Sequence, residues 1–412
     1  MLGHMETVFS RAKARCDLLG IAPYSDRSDM LFRPYLGAGH RATLETLTTW
    51  MREAGMTVSV DAAANIVGRY GATSREAPVL LFGSHVDSVE NGGRYDGMLG
   101  VLLGIEVVEH FHRQGRRFPF ALEVIGFGDE EGSRFPAYML GSRAAAGMLG
   151  EADGDVRDIQ GITLREALAE WGLSPEHLPT ARRMHVAAYI EAHIEQAPHL
   201  ERAGRSLGAV RGIASQYRYR ATFEGQAAHA GTAMHERRDA LAAAAEAILA
   251  LERIGQDGPS DLVVTVGDIA VISGAPNVVP GRVGWSIDMR ALDMAVLEHA
   301  ANAARAELER IATERGMVFS LARTQDLRGA LCDVALERRI RDAIRETTGE
   351  EPPELVSQAG HDAMIVADLA PMAMLFIRCA GGISHNPAEA VAEDDVEVAR
   401  AALIRFVEKF EV

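Results

Sequence analysis

Several short segments of this chain carry imidazoles and carboxylates in settings suited to holding a cation. GSHVDS offers His85 and Asp87, YIEAHIEQ offers His193, and GGISHNPAE offers His385. GGRYDG offers Asp96 among glycines that let the backbone turn sharply. GDEEGSRFP offers the adjacent pair Glu130 and Glu131. Neutral imidazoles and ionised carboxylates are the ligands that divalent metals take. A centre with two ions needs a bridging carboxylate plus ligands for each ion, and its chemistry is hydrolysis by an activated water. Each segment alone has a plainer explanation. A histidine at a strand end is usually a structural hydrogen-bonder, an aspartate in a glycine-rich loop an Asx turn, and a glutamate pair a solvated surface. Taken together, and read as lying on loops of one α/β pattern, they point to a metal centre.

The elements that must position these residues alternate in type. APVLLFGS (77–84) and FALEVIGFG (120–128) are short apolar runs fit for buried parallel strands. Between them MLGVLLGIEVVEHFHRQ (98–114) has helical periodicity and stops at Gly115. Strand, helix, strand implies an α/β sheet covered on both faces, with ligands gathering at the carboxyl ends of the strands. His85 and the Glu130–Glu131 pair fall at such ends. The later run MAMLFIRC (372–379) predicts another buried strand, with His385 in the loop after it. RRIRDAIRETTG (338–349) and DDVEVARAALIRFVEKF (394–410) predict helices.

The pattern changes near residue 213. QYRYRATFEG (216–225), LVVTVGDIAVI (262–272), RVGWSIDMR (282–290) and MVFSLAR (317–323) read as strands. RRDALAAAAEAILALERI (237–254) and MAVLEHAANAARAELERIATERG (294–316) read as helices. The order β-α-β-β-α-β is the split, ferredoxin-like pattern. The expected fold is therefore α/β, with a mixed-sheet α/β/α catalytic domain from residues 1–212 and 328–412. A second, α+β domain, 213–327, is inserted into it.

Composition narrows the function. The chain has 412 residues, 48% of them hydrophobic, enough for two domains with ordinary cores. Its formal charge of −16 argues against nucleic acid or an anionic membrane as partner. No apolar run approaches the span of a transmembrane helix, and the first twenty residues lack the core of a secretory signal. Cys16, Cys332 and Cys379 are scattered and form no metal-binding pair, which suits a reducing cytoplasm. Lys13 and Lys409 are the only lysines, so a Schiff base or a phosphate-loop lysine is a poor fit. The absence of a GxSxG elbow weakens a serine-hydrolase reading.

GSHVDSVENGGRYDGMLGV, GFGDEEGSRF, YIEAHIEQAPHLE, GQAAHAGT, NVVPGRVGWSIDMR, GHDAMIVA and GGISHNPAE follow one another along the chain. As an ordered set they resemble the hydantoinase/carbamoylase-type amidases within the wider M20 metallopeptidase-like group. That family includes N-carbamoyl-L-amino acid hydrolase, β-ureidopropionase and allantoate amidohydrolase. The resemblance implies that His85, Asp96 and His193 hold one divalent ion. Asp96 then bridges to a second ion held by Glu131 and His385. The ions would be Mn²⁺ or Zn²⁺, with Co²⁺ or Ni²⁺ as further choices. Glu130 matches the general base, and Asp87 the carboxylate that orients the His85 ring. His229 matches an oxyanion donor that in the family reaches a partner subunit, which implies a homodimer and makes 213–327 a lid or dimerisation domain. Gln196, Asn277, Arg290 and His361 match contacts to a small ureido or carbamoyl substrate bearing a carboxylate.

Two departures bear on the substrate. Ala197 stands where the family usually has glycine, and HAGTAMHERRDAL is one residue short of the usual pattern. The run Ser133–Pro136 after the glutamate pair leans toward allantoate amidohydrolase, ahead of N-carbamoyl-L-amino acid hydrolase and β-ureidopropionase. A dipeptidase or aminopeptidase of the wider group and a non-catalytic metal-binding scaffold are the remaining readings. Glu130 argues against the scaffold, which has no use for a base beside its ligands.

Overall fold

A computed structural model describes residues 10–74 and 76–412. The first few residues assigned to the expected catalytic domain, 1–9, lie outside the described residues. The described chain forms two compact units. The first contains the residues up to Arg211, then Cys332–Ser357 and His361–Val412. The second contains Gly212–Leu331 and Gln358–Gly360.

Four parallel strands make the centre of the first unit's sheet, in the order Ala121–Phe127, Val79–His85, Val186–Ile194, Met372–Ile377. Ile66–Tyr70 and Leu207–Ile213 flank them in antiparallel sense, so the sheet is mixed. Val79–His85, Ala121–Phe127 and Met372–Ile377 are buried at every position, as strands covered on both faces must be. Leu80, Phe82, Leu122, Val124, Ile190 and Leu375 share a core with the helices Met98–Arg113, Val334–Thr348 and Glu393–Lys409. Glycine lets the first of these helices sit directly on the sheet. A Cβ at Gly100 would stand 2.1 Å from the Ala192 carbonyl oxygen, inside any real contact distance. The helix that begins beside Asp96 is thereby pressed onto the strand that carries His193.

The second unit is an antiparallel sheet with two helices on one face. Its strands run Ile269–Val271, Arg282–Ala291, Ser215–Glu224, Val318–Leu327, with Val263–Thr265 also paired to Arg282–Ala291. This is the ferredoxin-like order. Alternate residues Phe223, Val283, Trp285 and Ile287 pack against Ala243, Ala247 and Leu251 of helix Ala240–Asp257 and Leu297 and Leu308 of helix Met294–Glu314. The small alanine face lets a bulky indole fit between sheet and helix.

Three details depart from the sequence expectations. The run 262–272 is two strands rather than one. Thr265 pairs with Asp288 and Ile269 with Trp285, so four steps on one strand face three on the other. The extra residue is a bulge, and Asp268 secures it by exchanging bonds with Ser286. The last strand continues to Leu327, past the expected 323. Finally, Gln358–Gly360 group with the second unit, because Gln358 donates to the Asp261 carbonyl at 3.1 Å and accepts from the Arg290 guanidinium. Among the described residues no helix is long and apolar enough to cross a membrane.

Candidate metal centre

Because the central strands are parallel, their carboxyl ends share one edge of the first unit. His85 is the last residue of its strand, and His193 the next to last of Val186–Ile194. Neither is a loop residue, contrary to expectation; the ordered backbone of the sheet places both rings. Asp87 accepts the Glu130 and Glu131 amides, each at 3.1 Å, one on each carboxylate oxygen. It also lies 3.4 Å from His85 Nδ1. One buried carboxylate thus ties the His85 loop to the loop bearing the glutamate pair.

The side chains converge around Asp96. His193 Nε2 lies 3.1 Å and His85 Nε2 3.5 Å from Asp96 Oδ1. His385 Nε2 lies 3.2 Å from Asp96 Oδ2 and 3.4 Å from Glu131 Oε1. Each set, His85–Asp96–His193 and Asp96–Glu131–His385, brings its ligand atoms within 4.8 Å of one another, as does His85–Glu130–Glu131. Asp96 Oδ1 is buried and takes no aligned hydrogen bond. A buried, unsatisfied carboxylate oxygen facing two imidazole nitrogens is costly unless a cation sits between them, so the donor set fits a pair of divalent ions. His193 Nδ1 meets the Ile194 carbonyl at 2.9 Å, which leaves Nε2 for the centre. The His385 side chain is 48% exposed, whereas those of His85 and His193 are 2% and 1% exposed. The His385 side is therefore the open one.

The electrostatics have the same origin. Burial would raise the Asp96 carboxyl, but His193, His385 and His85 outweigh it and hold it well below the usual range. Its partners rise in turn. His385 is pushed up to about 9 by Asp96, against burial and with help from Glu131. Glu131 is raised to about 7 by burial and by Asp96. Burial holds Glu130 well above the usual carboxylate range, with Glu131, Asp362 and Asp87 adding to it and His85 opposing. These opposed shifts mark a cluster that stabilises positive charge.

The other candidate residues fall in two places. Gln196 is beside the centre: its Nε2 donates to Asp96 Oδ2 and to Ser384 Oγ, both at 3.1 Å. His361 is only 2% exposed, edge-on to His193 with ring centroids 4.4 Å apart and Nε2 2.8 Å from Ser357 Oγ. It backs the His193 ring and presents no open surface. Burial and the nearby His193 hold it well below the usual histidine range, hence neutral. His229, Asn277 and Arg290 belong to the second unit. Exposed His229 pairs with Val278 across a two-stranded ribbon, next to exposed Asn277, whose carbonyl accepts the Ala230 amide at 2.9 Å. Arg290 is committed to Asp288, with Nε 2.7 Å and Nη2 3.2 Å from its two oxygens.

Two residues at the centre were not singled out from the sequence, Ser384 and Glu389. Both lie within GGISHNPAE, and Glu389 is 6% exposed. A glutamate that is buried so close to His385 has no local signature beyond its place in that motif.

Residues 81–409 match the model of peptidase family M20/M25/M40. The chain is 40% identical to the N-carbamoyl-L-amino acid amidohydrolase of Geobacillus stearothermophilus, over 90% of this chain and 91% of that one. It is 35% identical to the allantoate deiminase of Arabidopsis thaliana, over 98% and 83%. A hydantoinase/carbamoylase family amidase from Burkholderia multivorans superposes with a TM-score of 0.88 at 34% identity, covering 96% of this chain and 95% of that one. With its mixed sheet and cation-ready edge, the chain belongs to the M20/M25/M40 family of hydrolases. Within that family it is an amidohydrolase of the carbamoylase and allantoate amidohydrolase type, acting on C–N bonds.

Proposed function

We propose that this amidohydrolase cleaves the ureido C–N bond of a small carboxylate substrate, with allantoate as its first substrate. The observation that carries the reading is the meeting of His85 and His193 at one oxygen of the buried Asp96 carboxylate and of His385 at the other, with Glu131 beside His385 and Glu130 alongside. His85, Asp96 and His193 would hold one divalent ion, and Asp96, Glu131 and His385 a second, Mn²⁺ or Zn²⁺ first and Co²⁺ or Ni²⁺ next. Bound there, such ions supply positive charge that acidifies water and polarises a carbonyl oxygen. Glu130 takes a proton from the attacking water and returns it to the leaving nitrogen as the C–N bond breaks. The carbamate so released decomposes to ammonia and carbon dioxide. Asp87 holds the glutamate loop by its amides and steadies His85.

The second unit serves as lid and dimerisation domain in this reading. Its ribbon brings His229 as an oxyanion donor and Asn277 as a substrate contact, in a homodimer where His229 serves the partner's site. Arg290 offers a carboxylate clamp once substrate competes with Asp288. Gln196 contributes its free carbonyl. Buried free Cys16, Cys332 and Cys379 support a reducing cytoplasm as the setting.

Ser133–Pro136 and the allantoate deiminases among the relatives favour allantoate. The 40% identity to the Geobacillus protein favours N-carbamoyl-L-amino acids as the second reading. A panel decides between them. Allantoate, N-carbamoyl-β-alanine, N-carbamoyl-L-amino acids and a dipeptide are assayed after chelator stripping, each with Mn²⁺, Zn²⁺, Co²⁺ or Ni²⁺. The expected result is cation-dependent ammonia release with the highest kcat/KM on allantoate. Cleavage of the dipeptide alone, or turnover indifferent to cations, would sink the proposal.

A further inference from the structure

Asp96 must present one oxygen to the His85–His193 side and the other to the His385 side. A carboxylate on a glycine-rich loop has no reason of its own to hold that orientation. Its loop and side chain are nonetheless restrained from several directions. Glu389 Oε1 accepts the Tyr95 amide at 2.8 Å and the Asp96 amide at 3.1 Å. Glu389 Oε2 lies 3.0 Å from Ser384 Oγ, which lies 3.1 Å from Asp96 Oδ2. Gln196 Nε2 reaches both Asp96 Oδ2 and Ser384 Oγ at 3.1 Å.

One assignment of the hydrogens satisfies the whole network. The Gln196 amide has two hydrogens, one for Asp96 Oδ2 and one for Ser384 Oγ. The Ser384 hydroxyl has one, which goes to Glu389 Oε2. The second Glu389 oxygen then receives the two backbone amides. Every donor has an acceptor, and three loops are joined: the one before helix Met98–Arg113, the one after strand Val186–Ile194, and the one after strand Met372–Ile377. The backbone is shaped to allow it. Gln196 and His385 both sit at positive φ, 57° and 53°. A Cβ at Gly93 would lie 2.0 Å from the Glu389 carboxyl carbon, so only glycine lets that carboxylate in.

We infer that Glu389, working through Ser384 and the Tyr95–Asp96 backbone and completed by Gln196, is a positioning residue that fixes the bridging carboxylate between two cation sites. This rests on the reading of Asp96 as the bridge. Glu389 acts by accepting hydrogen bonds rather than by its charge. Glutamine in its place still accepts both amides, donates to Ser384 Oγ, and frees the Ser384 hydrogen for Asp96.

The test uses the full-length protein stripped of metal and titrated with Mn²⁺ against a chelating indicator, with Co²⁺ visible spectra and apo-protein melting alongside. Glu389→Ala should weaken at least one Mn²⁺ site by about 10- to 100-fold, as loss of an outer partner does, and alter the Co²⁺ spectrum. Glu389→Gln should bind Mn²⁺ within about threefold of the parent, a rescue expected if geometry rather than charge is what the outer partner supplies. Asp96→Asn should lose at least one ion. If Asp96→Asn loses metal but Glu389→Ala binds as the parent does, the positioning role is wrong and the bridge stands. If Asp96→Asn keeps both ions at full affinity, the bridge itself is wrong. Glutamine as damaging as alanine would assign the effect to charge and overturn the proposal. Should Glu389→Ala not fold, Ser384→Ala removes the middle link, and an unchanged affinity and Co²⁺ spectrum there would overturn it equally.

Discussion

The carboxyl edge of the first unit and the ribbon of the second carry polar side chains in opposite ways. At the edge, His85 and His193 end buried parallel strands, and helix Met98–Arg113 is pressed so close that Gly100 admits no Cβ. On the ribbon, His229 and Asn277 are exposed, and His229 Nδ1 accepts the Gly231 amide at 3.0 Å. The first arrangement suits ligands whose lone pairs must meet at one point, since packed strands fix positions to fractions of an ångström. The second suits groups that approach and withdraw. Geometry that must persist is built into the core, and geometry that must change is left at the surface.

Substitutions on the two sides can break or sharpen that contrast. The largest effect is expected for Glu130→Gln. Turnover should fall by about 10²- to 10⁴-fold, the usual contribution of a positioned proton carrier, while both ions remain bound. Metal analysis beside steady-state kinetics checks this, and a variant of undiminished turnover would remove Glu130 from the chemistry. Next comes His229→Ala, for which kcat should drop by about 10²- to 10³-fold, in the range of a lost oxyanion donor. Ion content and the melting temperature should stay those of the parent. A loss of bound metal in that variant would erase the distinction between buried edge and exposed ribbon.

The smallest effect concerns the interior beneath the edge. His40 accepts the Leu36 amide at 3.0 Å and packs by Tyr35 and Trp171 under Gly128. Burial, with Arg33 and Arg41 adding to it, lowers its pKa to about 3. The folded chain keeps this ring neutral while the unfolded chain protonates it near 6.5. Its contribution is intact above pH 6.5 and is lost progressively as the pH falls toward 3, by at most about 1.4 kcal/mol per unit within that window. Asn in its place retains the acceptor without the titration. Denaturant melts from pH 7 to pH 4.5 should therefore show a shallower decline for His40→Asn. Parallel slopes would show that this ring does not titrate as described.

How much could be read beforehand follows from the same contrast. Apolar runs such as 77–84 and 120–128 announce buried strands, and parallel strands announce which of their ends gather ligands. The fold class and the five converging side chains were accessible from such runs together with the ordered motifs. What stayed hidden lies in contacts between distant residues. The bulge near Asp268 depends on the facing strand, and the Arg290 guanidinium also donates to the carbonyl of Gln358, far along the chain. Glu389 reaches backbone amides almost three hundred positions earlier in the chain, which a reading by periodicity cannot foresee. His361 matched a site-lining segment, yet nothing in GHDAM distinguishes a ring that faces a ligand from one that stands behind it.

The strand Met372–Ile377 lies parallel to Val186–Ile194, with the continuous stretch Gly212–Leu331 synthesised between them. A chain leaving the ribosome therefore exposes His85, Asp96 and His193 long before His385 exists. It can bring those three together but not the full set of five, and the edge of Val186–Ile194 waits without its neighbour. Prior folding of the intervening stretch brings the two ends closer and shortens the span that must close. Completion of the five-residue cluster is then a late event in the birth of the molecule, and a product truncated before residue 372 is left with an unprotected strand edge.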